Sequence, residues 1–580
     1  MNCITNENPK IQENWLWRKN VPFIYDYLFM TPLKWPTLSF TIPPIRFNSE
    51  NMEIEQAMTD LDQDPEIYSH GQLVIYGSYT GKNIVNDTEC SKSGVSDNYI
   101  AISLIDVPNF DIDLLNANEV QKNTELKKPK YLNPDINTLF GLSVEDDIFK
   151  ICSGIDNNKL KLASKTIKGK IIVHNIDIDE IKDMGINLRK RNEDKYYDDE
   201  NSFFNNRIVS ALLGNEHNST GKSGYGMEWG TTNSNWLLSG NEDSSIYIYD
   251  LNTNNVVFES IDGCCLSGGI NDLSWLNPDL TPNIFTTVNH QGNLSVYDFR
   301  INKKAKGNSS SQRVRLRSDS ISNYTTPVGR WTISDNPCLS VSVHPCISNL
   351  ISVGCYDGSI FLVDLRYFSN INDVKNSSNK KFIVNRLEYG KKGVHRVEWH
   401  AGGNGLLLSS SLNGKVAIWD ITKSNNLPIW DQFHSNCEDK TSNNYNYSTK
   451  SKKNQINSEN SGLKDETTAL KNSLKAIVGS KSSWNKSERL EGPDELLGIH
   501  SGHLGHVTDS HWIYSPDFDS WTVASSDSSN GFHIWCFNEA LFSSENDLIE
   551  LAYAKDNPVF QNSDYIFSTK ASIQNLIDSF

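Results

Sequence analysis

Between residues 9 and 32 apolar positions recur at steps of three and four. Trp15, Leu16, Ile24, Tyr27 and Leu28 hold that spacing, with Glu13, Arg18, Lys19 and Asp26 on the other side. The period predicts a helix with one apolar face. Asn20 and Pro22 interrupt it, and because Asn caps well and Pro fits a first helical turn, a second helical stretch is expected to begin there. On that stretch Phe23, Ile24, Tyr27 and Leu28 share one side. From Trp35 the period falls to two. Residues 35–42, 72–80 and 99–105 alternate and are rich in aromatic and β-branched residues, which predicts short strands separated by polar loops.

Further on, the alternation becomes a repeat. Asn241–Leu251, Asn289–Phe299, Cys355–Leu365, Ser411–Ile421 and Ser526–Phe537 each open on a turn of Asn, Asp, Ser or Gly and run into an alternating strand. Most end on an aromatic-Asp or Val-Asp pair. Ahead of each lies another strand: Met227–Trp229, Leu273–Trp275, Val341–Val343, Val397–Trp399 and Ser510–Trp512. This is the WD-repeat signature, in which a unit of about 40–45 residues forms a four-stranded blade. Residues 126–178 read as a degraded copy, and the strands between Trp35 and Val107 as the remaining blade. The expected fold is all-β: a seven-bladed WD-repeat β-propeller over residues 33–543, with the 9–32 segment packed on its side as an α-helix and residues 544–580 as a tail. The repeated Trp and Asp are scaffold, Trp filling seams between blades and Asp accepting hydrogen bonds in tight turns.

Polar inserts break the repeat near residues 49–70, 179–207, 302–330 and 431–487. Arg189–Arg191 and Arg313–Arg317 within them read either as nuclear-import signals or as solvated loop. The net charge of −17 opposes nucleic acid and suits a basic protein partner, solubility being the plain alternative. The ten cysteines form no Cys-x-x-Cys spacing, so neither a zinc site nor a disulfide framework is expected. No apolar run reaches the roughly 18 residues of a membrane span and no signal peptide opens the chain, so an intracellular protein without membrane attachment is expected.

No phosphate-binding loop, dinucleotide turn, zinc-protease helix or nucleophile elbow is present, so the chain reads as a binding platform, not an enzyme, and needs no cofactor. His500, His503, His506 and His511 resemble a metal cluster only at first sight. His511 alternates with Trp512 within a strand, and His503 follows Gly502 at a blade start, which makes them scaffold residues.

Three blocks together resemble one family. Trp17–Asp26 with Leu33–Leu38, Gly224–Trp229 and Gly492–His503 resemble, in that order, the N-terminal helix and first strand, a second-blade strand and the last-blade entry loop of the retinoblastoma-binding histone chaperones. These are the WD-repeat small subunits of chromatin assembly factor 1. The resemblance implies a groove on the side of the propeller that holds the first helix of histone H4. Phe23, Ile24 and Leu28 would form its apolar wall, Ile499 its floor, Glu488 and Glu491 its acidic rim, and Gly492 and Pro493 its corner. An amphipathic basic helix needs such a groove.

This chain departs from the pattern at Asp494, where the family has a second Pro, and at Gly498, where it has an aromatic. The resemblance also implies a flat-face site for the histone H3 tail, at Tyr79, Lys128, Tyr225 and Asn271. Its carboxylates are largely replaced, by Ser223, Asn271, Gly393 and Ser528, which weakens attraction for a basic tail.

The resemblance further implies a nuclear protein, with the cytoplasm as a second location. Its partners would be subunits of chromatin assembly, acetyltransferase, deacetylase, remodelling or methyltransferase complexes. Two rival readings are a ribosome-assembly WD-repeat chaperone with a basic client and a general scaffold such as a ubiquitin-ligase substrate adaptor.

Overall fold

The computed structural model describes residues 14, 17–21, 24–47, 69–81, 98–108, 136–193, 210–213, 224–261, 269–276, 283–300, 327–367, 382–424, 493, 495–513 and 521–537, apart from 157, 231–232, 348 and 404. The chain divides into two compact units, Met1–Leu427 with Asp494–Phe580, and Pro428–Pro493. Every strand described below belongs to the first unit.

Seven antiparallel sheets, each a blade, follow one another along the chain. Blade 1 begins at Phe40–Thr41, its innermost strand, and ends at Asn137–Ser143. Blades 2, 3 and 4 have innermost strands Ile148–Asp156, Met227–Trp229 and Ile270–Trp275. Those of blades 5, 6 and 7 are Cys338–Val343, Val394–Trp399 and Val507–Trp512.

The innermost strands surround a central channel, and apolar residues between sheets make a core distributed over the blade seams rather than one central mass. The repeated residues take the scaffold roles expected of them. The Trp229 indole N–H donates across a seam to the Cys152 carbonyl at 3.1 Å, and that of Trp512 to the Glu398 carbonyl at 3.2 Å. Asp250, Asp364 and Asp420 each accept a backbone N–H two residues on, at 2.9–3.0 Å.

Two expectations are corrected. The apolar period over residues 9–32 does not continue as helix. Residues 17–21 are helical, but Tyr25–Pro32 is a strand. It pairs antiparallel with Gly531–Phe537, from Tyr25 opposite Phe537 to Pro32 opposite Gly531, and becomes the outermost strand of blade 7. The spacing of Tyr25, Tyr27, Leu28 and Phe29 fits either period, and the open edge of blade 7 decides it, because that edge supplies the backbone partners. The second correction concerns the degraded repeat. Blade 2 starts at Ile148, and Asn137–Ser143 closes blade 1.

The 179–207 insert is not loop throughout, since Ile178–Glu193 forms a helix with Asp179 and Glu180 in its first turn, where the helix dipole favours acids. Ile178 and Ile181 anchor it in the seam cluster of blades 1 and 2. The 431–487 insert and the 544–580 tail lie outside the described residues, as does most of the 49–70 and 302–330 inserts.

The ring is thus closed by strand pairing between the two ends of the propeller. Phe29 of the closing strand is buried among Phe40 and Val74 of blade 1 and Phe532 and Ile534 of blade 7. Met30, its neighbour, is 45% exposed. Phe29→Ala should therefore lower unfolding stability by about 3–5 kcal/mol in urea titrations, while Met30→Ala stays within about 0.5 kcal/mol.

A lateral groove and a closed channel as candidate functional sites

The helix that precedes the closing strand is seated by a run of side-chain contacts. Trp17 is buried, and its indole N–H donates to the Tyr25 hydroxyl at 2.9 Å. That hydroxyl meets His500 Nδ1 at 2.8 Å, and His500 Nε2 meets His533 Nδ1 at 3.0 Å. Gly502 makes room for the indole, because a Cβ there would lie 2.7 Å from the Trp17 ring. The Asn14 amide reaches the Gly502 carbonyl at 3.5 Å.

The helix is therefore fixed against Leu496–His500, the outermost strand of blade 6, and the loop that follows it. Val21, Ile24, Leu28 and Leu497 are half-buried and pack on one cluster with Trp17, Tyr25, Trp535 and Phe537. Ile499, opposite Ala417 on the same blade 6 strand, is half-buried too. The result is an apolar strip, partly open to water, along the side of the propeller.

Three buried histidines stand behind this strip, with ligand atoms of His500, His503 and His533 within 4.8 Å of one another. Their geometry is that of a hydrogen-bonded scaffold. His503 Nδ1 meets Asp527 at 2.9 Å and Nε2 meets Ser525 at 2.7 Å, and Ser525 also accepts the Trp535 indole N–H at 3.2 Å. The His503 and His533 rings stack nearly parallel, 4.0 Å apart and 7° from coplanar orientation. In-plane lone pairs on parallel rings do not converge on one ion. Burial, with His503 and His533 adding to it, holds His500 well below the usual imidazole range, so it is neutral.

The channel holds a compact ion network. Arg396 lies 3.9 Å from Asp272, 3.9 Å from Asp509 and 3.5 Å from Glu398. Lys150 approaches Asp509 at 3.6 Å, and His511 reaches Glu398 at 2.7 Å and Asp509 at 3.4 Å. These residues come from the innermost strands of blades 2, 4, 6 and 7. Burial alone would depress His511, but the adjoining Glu398 and Asp509 carboxylates outweigh it and raise it to about 8. Burial pushes Glu228, on the blade 3 strand, up to about 7. Next to the network on these strands, Tyr225 stacks on Phe149 at 3.9 Å and meets His395 edge-on at 5.8 Å. Phe149, Tyr225 and His395 belong to blades 2, 3 and 6, so the plug reaches across the channel.

Residues 12–109 match the family model described as histone-binding protein RBBP4, or the C subunit of the CAF1 complex. Over those residues the chain is similar to this histone-binding family. Its likeness to curated relatives runs nearly end to end. Histone acetyltransferase type B subunit 2 of Candida glabrata is 21% identical over 547 residues, 92% of this chain and 90% of the relative. The protein of the same name from Debaryomyces hansenii is 18% identical, covering 93% of each chain. That from Candida albicans is 20% identical, covering 61% of this chain and 65% of the relative.

The structure brings together Ile24, Leu28 and Leu497 on one cluster, with Leu28 on the closing strand instead of the helix. Phe23, Glu488, Glu491 and Gly492 lie outside the described residues, and Pro493, part of the second unit, is half-buried. The Gly498 departure does not leave a gap. A Cβ there would sit 2.9 Å from the Phe537 ring, so the neighbouring strand fills that space.

On the flat face, Tyr225 is exposed at 43% with Tyr79 near it, while the Asn271 amide is committed to the Cys338 carbonyl at 2.7 Å. Lys128 and Ser223 are outside the described residues. Sequence reasoning missed the Trp17–Tyr25–His500 relay and the Phe149–Tyr225–His395 plug. Trp17 and Tyr25 carried a signal, both standing in the family-like N-terminal block, whereas nothing local marks Phe149 or His395.

Tyr25→Phe leaves the buried Trp17 N–H and His500 Nδ1 without their shared partner. The loss should be about 1–3 kcal/mol by chemical denaturation, with faster amide exchange over residues 17–21. The channel gives a pH signature. His511 binds its proton more tightly folded than unfolded, so its stabilising contribution is complete below pH 6.5 and disappears as pH rises through about 8. The contribution of His511 to stability should fall by about 1–2 kcal/mol between pH 6.5 and 8.5, read as the difference in slope between wild type and His511→Gln.

Proposed function

We propose that this chain binds histone H4 by laying the first helix of the histone along the apolar strip of Val21, Ile24, Leu28, Leu497 and Ile499. The observation that carries this reading is the seating of the N-terminal helix against the outer strand of blade 6. That contact leaves a row of half-buried apolar side chains on the outside of an otherwise closed ring. A helix laid in such a strip covers it with residues at i, i+3, i+4 and i+7, and the chain's net charge of −17 favours a basic helix over an acidic one. Val21, Ile24 and Leu28 of the strip lie inside the 12–109 family match, whose description is histone-binding.

In this reading the chain is a non-catalytic, nuclear subunit. The relatives named as histone acetyltransferase type B subunit 2 point to an acetyltransferase assembly as its setting, with chromatin assembly as the other setting the family implies. The channel carboxylates are spent on Arg396, Lys150 and His511, and the Phe149–Tyr225–His395 plug stands next to them, so a basic H3 tail finds little to pair with on the flat face. The side strip is accordingly the principal histone site.

Ile24→Asp places a charge on the strip while leaving the hydrogen-bonding groups of Trp17, Tyr25 and His500 in place. Its affinity for a fluorescent H4 first-helix peptide should fall at least about tenfold, roughly 1.4 kcal/mol, at a temperature where circular dichroism shows the variant folded. Equal affinity in the folded variant would sink the assignment.

A further inference from the structure

Beside the groove and the channel plug, four loops of blades 5, 6 and 7 adjoin one another. A Cβ at Gly358 would sit 2.6 Å from the Gly390 carbonyl and 3.1 Å from that of Lys392. One at Gly393 would meet Leu339, Leu412 and the Tyr356 carbonyl, each at 3.2 Å, and one at Gly414 would lie 2.6 Å from the Gly505 carbonyl. The Tyr356–Gly358 turn, the 389–393 loop, the Leu412–Gly414 turn and the 501–506 loop therefore form one continuous band.

The side chains of this band are unusual for the molecule. Leu504 at 61% and Tyr356 at 55% are the two most exposed large apolar residues among those described. Between them Lys391 and Lys392 are exposed, and neither makes an ion pair with a described carboxylate. Asp357, the acid of the band, is already engaged by the Ser359 N–H at 3.0 Å and the Asn336 amide at 3.2 Å. A chain of net charge −17 thus carries, on this band, two lysines that no described carboxylate pairs, beside open apolar side chains.

We propose that this band is a docking surface for an acidic peptide segment of a partner protein. Its apolar side chains cover Tyr356 and Leu504, and its carboxylates pair with Lys391 and Lys392. Charge complementarity selects the occupant, because a basic tail would be repelled by the lysines at contact distance. Exposed apolar groups rimmed by charge are the usual mark of a protein contact. Nucleic acid fits less well, since two lysines do not offset the repulsion between phosphates and a chain of this net charge.

The test uses the full chain and a short fluorescein-labelled peptide of Glu, Leu and Phe residues, read by polarisation. Lys391→Glu with Lys392→Glu should weaken binding at least about tenfold, and Leu504→Ser should weaken it several-fold. The same double reversal should strengthen binding of the matched peptide in which Lys replaces Glu. All three side chains are exposed, so melting curves should be unchanged, as should binding of the H4 helix peptide, which separates this surface from the lateral groove. The proposal is overturned if the acidic peptide does not bind the wild-type chain, or binds the variants equally. It is also overturned if a single-stranded oligonucleotide binds more tightly with the same dependence on the two lysines.

Discussion

The ring depends on one backbone pairing, that of Tyr25–Pro32 with Gly531–Phe537. Each blade packs only on its neighbours, so a propeller left open would expose the apolar sides of its first and last blades. The closing strand removes both surfaces at once, because Phe29 is buried against blade 1 while its backbone completes blade 7. The ends it joins are far apart in sequence, Tyr25 standing opposite Phe537. Loop-closure entropy grows only logarithmically, so this costs about 2 kcal/mol more than closing a ~40-residue loop. Burial at the seam readily exceeds that.

The groove is a by-product of the closure. Tyr25 is both the first residue of the closing strand and the hydroxyl to which Trp17 donates, so registering the strand also places the helix. His500 receives that hydroxyl from the last strand of blade 6, and His533 continues the contact into blade 7. Three chain segments remote in sequence are thereby held in one arrangement before any partner arrives. A preorganised strip of this kind loses little conformational freedom on binding.

The channel shows the opposite use of polar groups. Ionisable side chains from five blades are desolvated there, and the arrangement compensates for burial through mutual neutralisation around Arg396 and His511. The same carboxylates would be the attraction for a cationic peptide if they faced water. Committed inward next to aromatic rings, they hold blades together instead. The loop band over blades 5 to 7 has a different character, apolar and locally cationic.

Much of this was legible in the sequence, for a simple reason. Blade repeats are local: an Asx turn, an alternating strand and an aromatic-Asp ending lie within a dozen residues, so Asn241–Leu251 or Ser411–Ile421 declares itself. The family-like blocks likewise marked Trp17, Ile24 and the 492–503 loop. What the sequence could not determine is where an ambiguous segment finds its partners. Residues 25–32 read as helix, and the vacant edge of blade 7 made them a strand by supplying hydrogen-bond partners. Gly498 stands in the sequence only as a departure from an aromatic, whereas Phe537, from the adjacent blade, fills the space beside it. The relay through Tyr25 and His500 and the plug of Phe149, Tyr225 and His395 exist only once the ring closes, because periodicity reports which face of an element is apolar but not which distant element covers it.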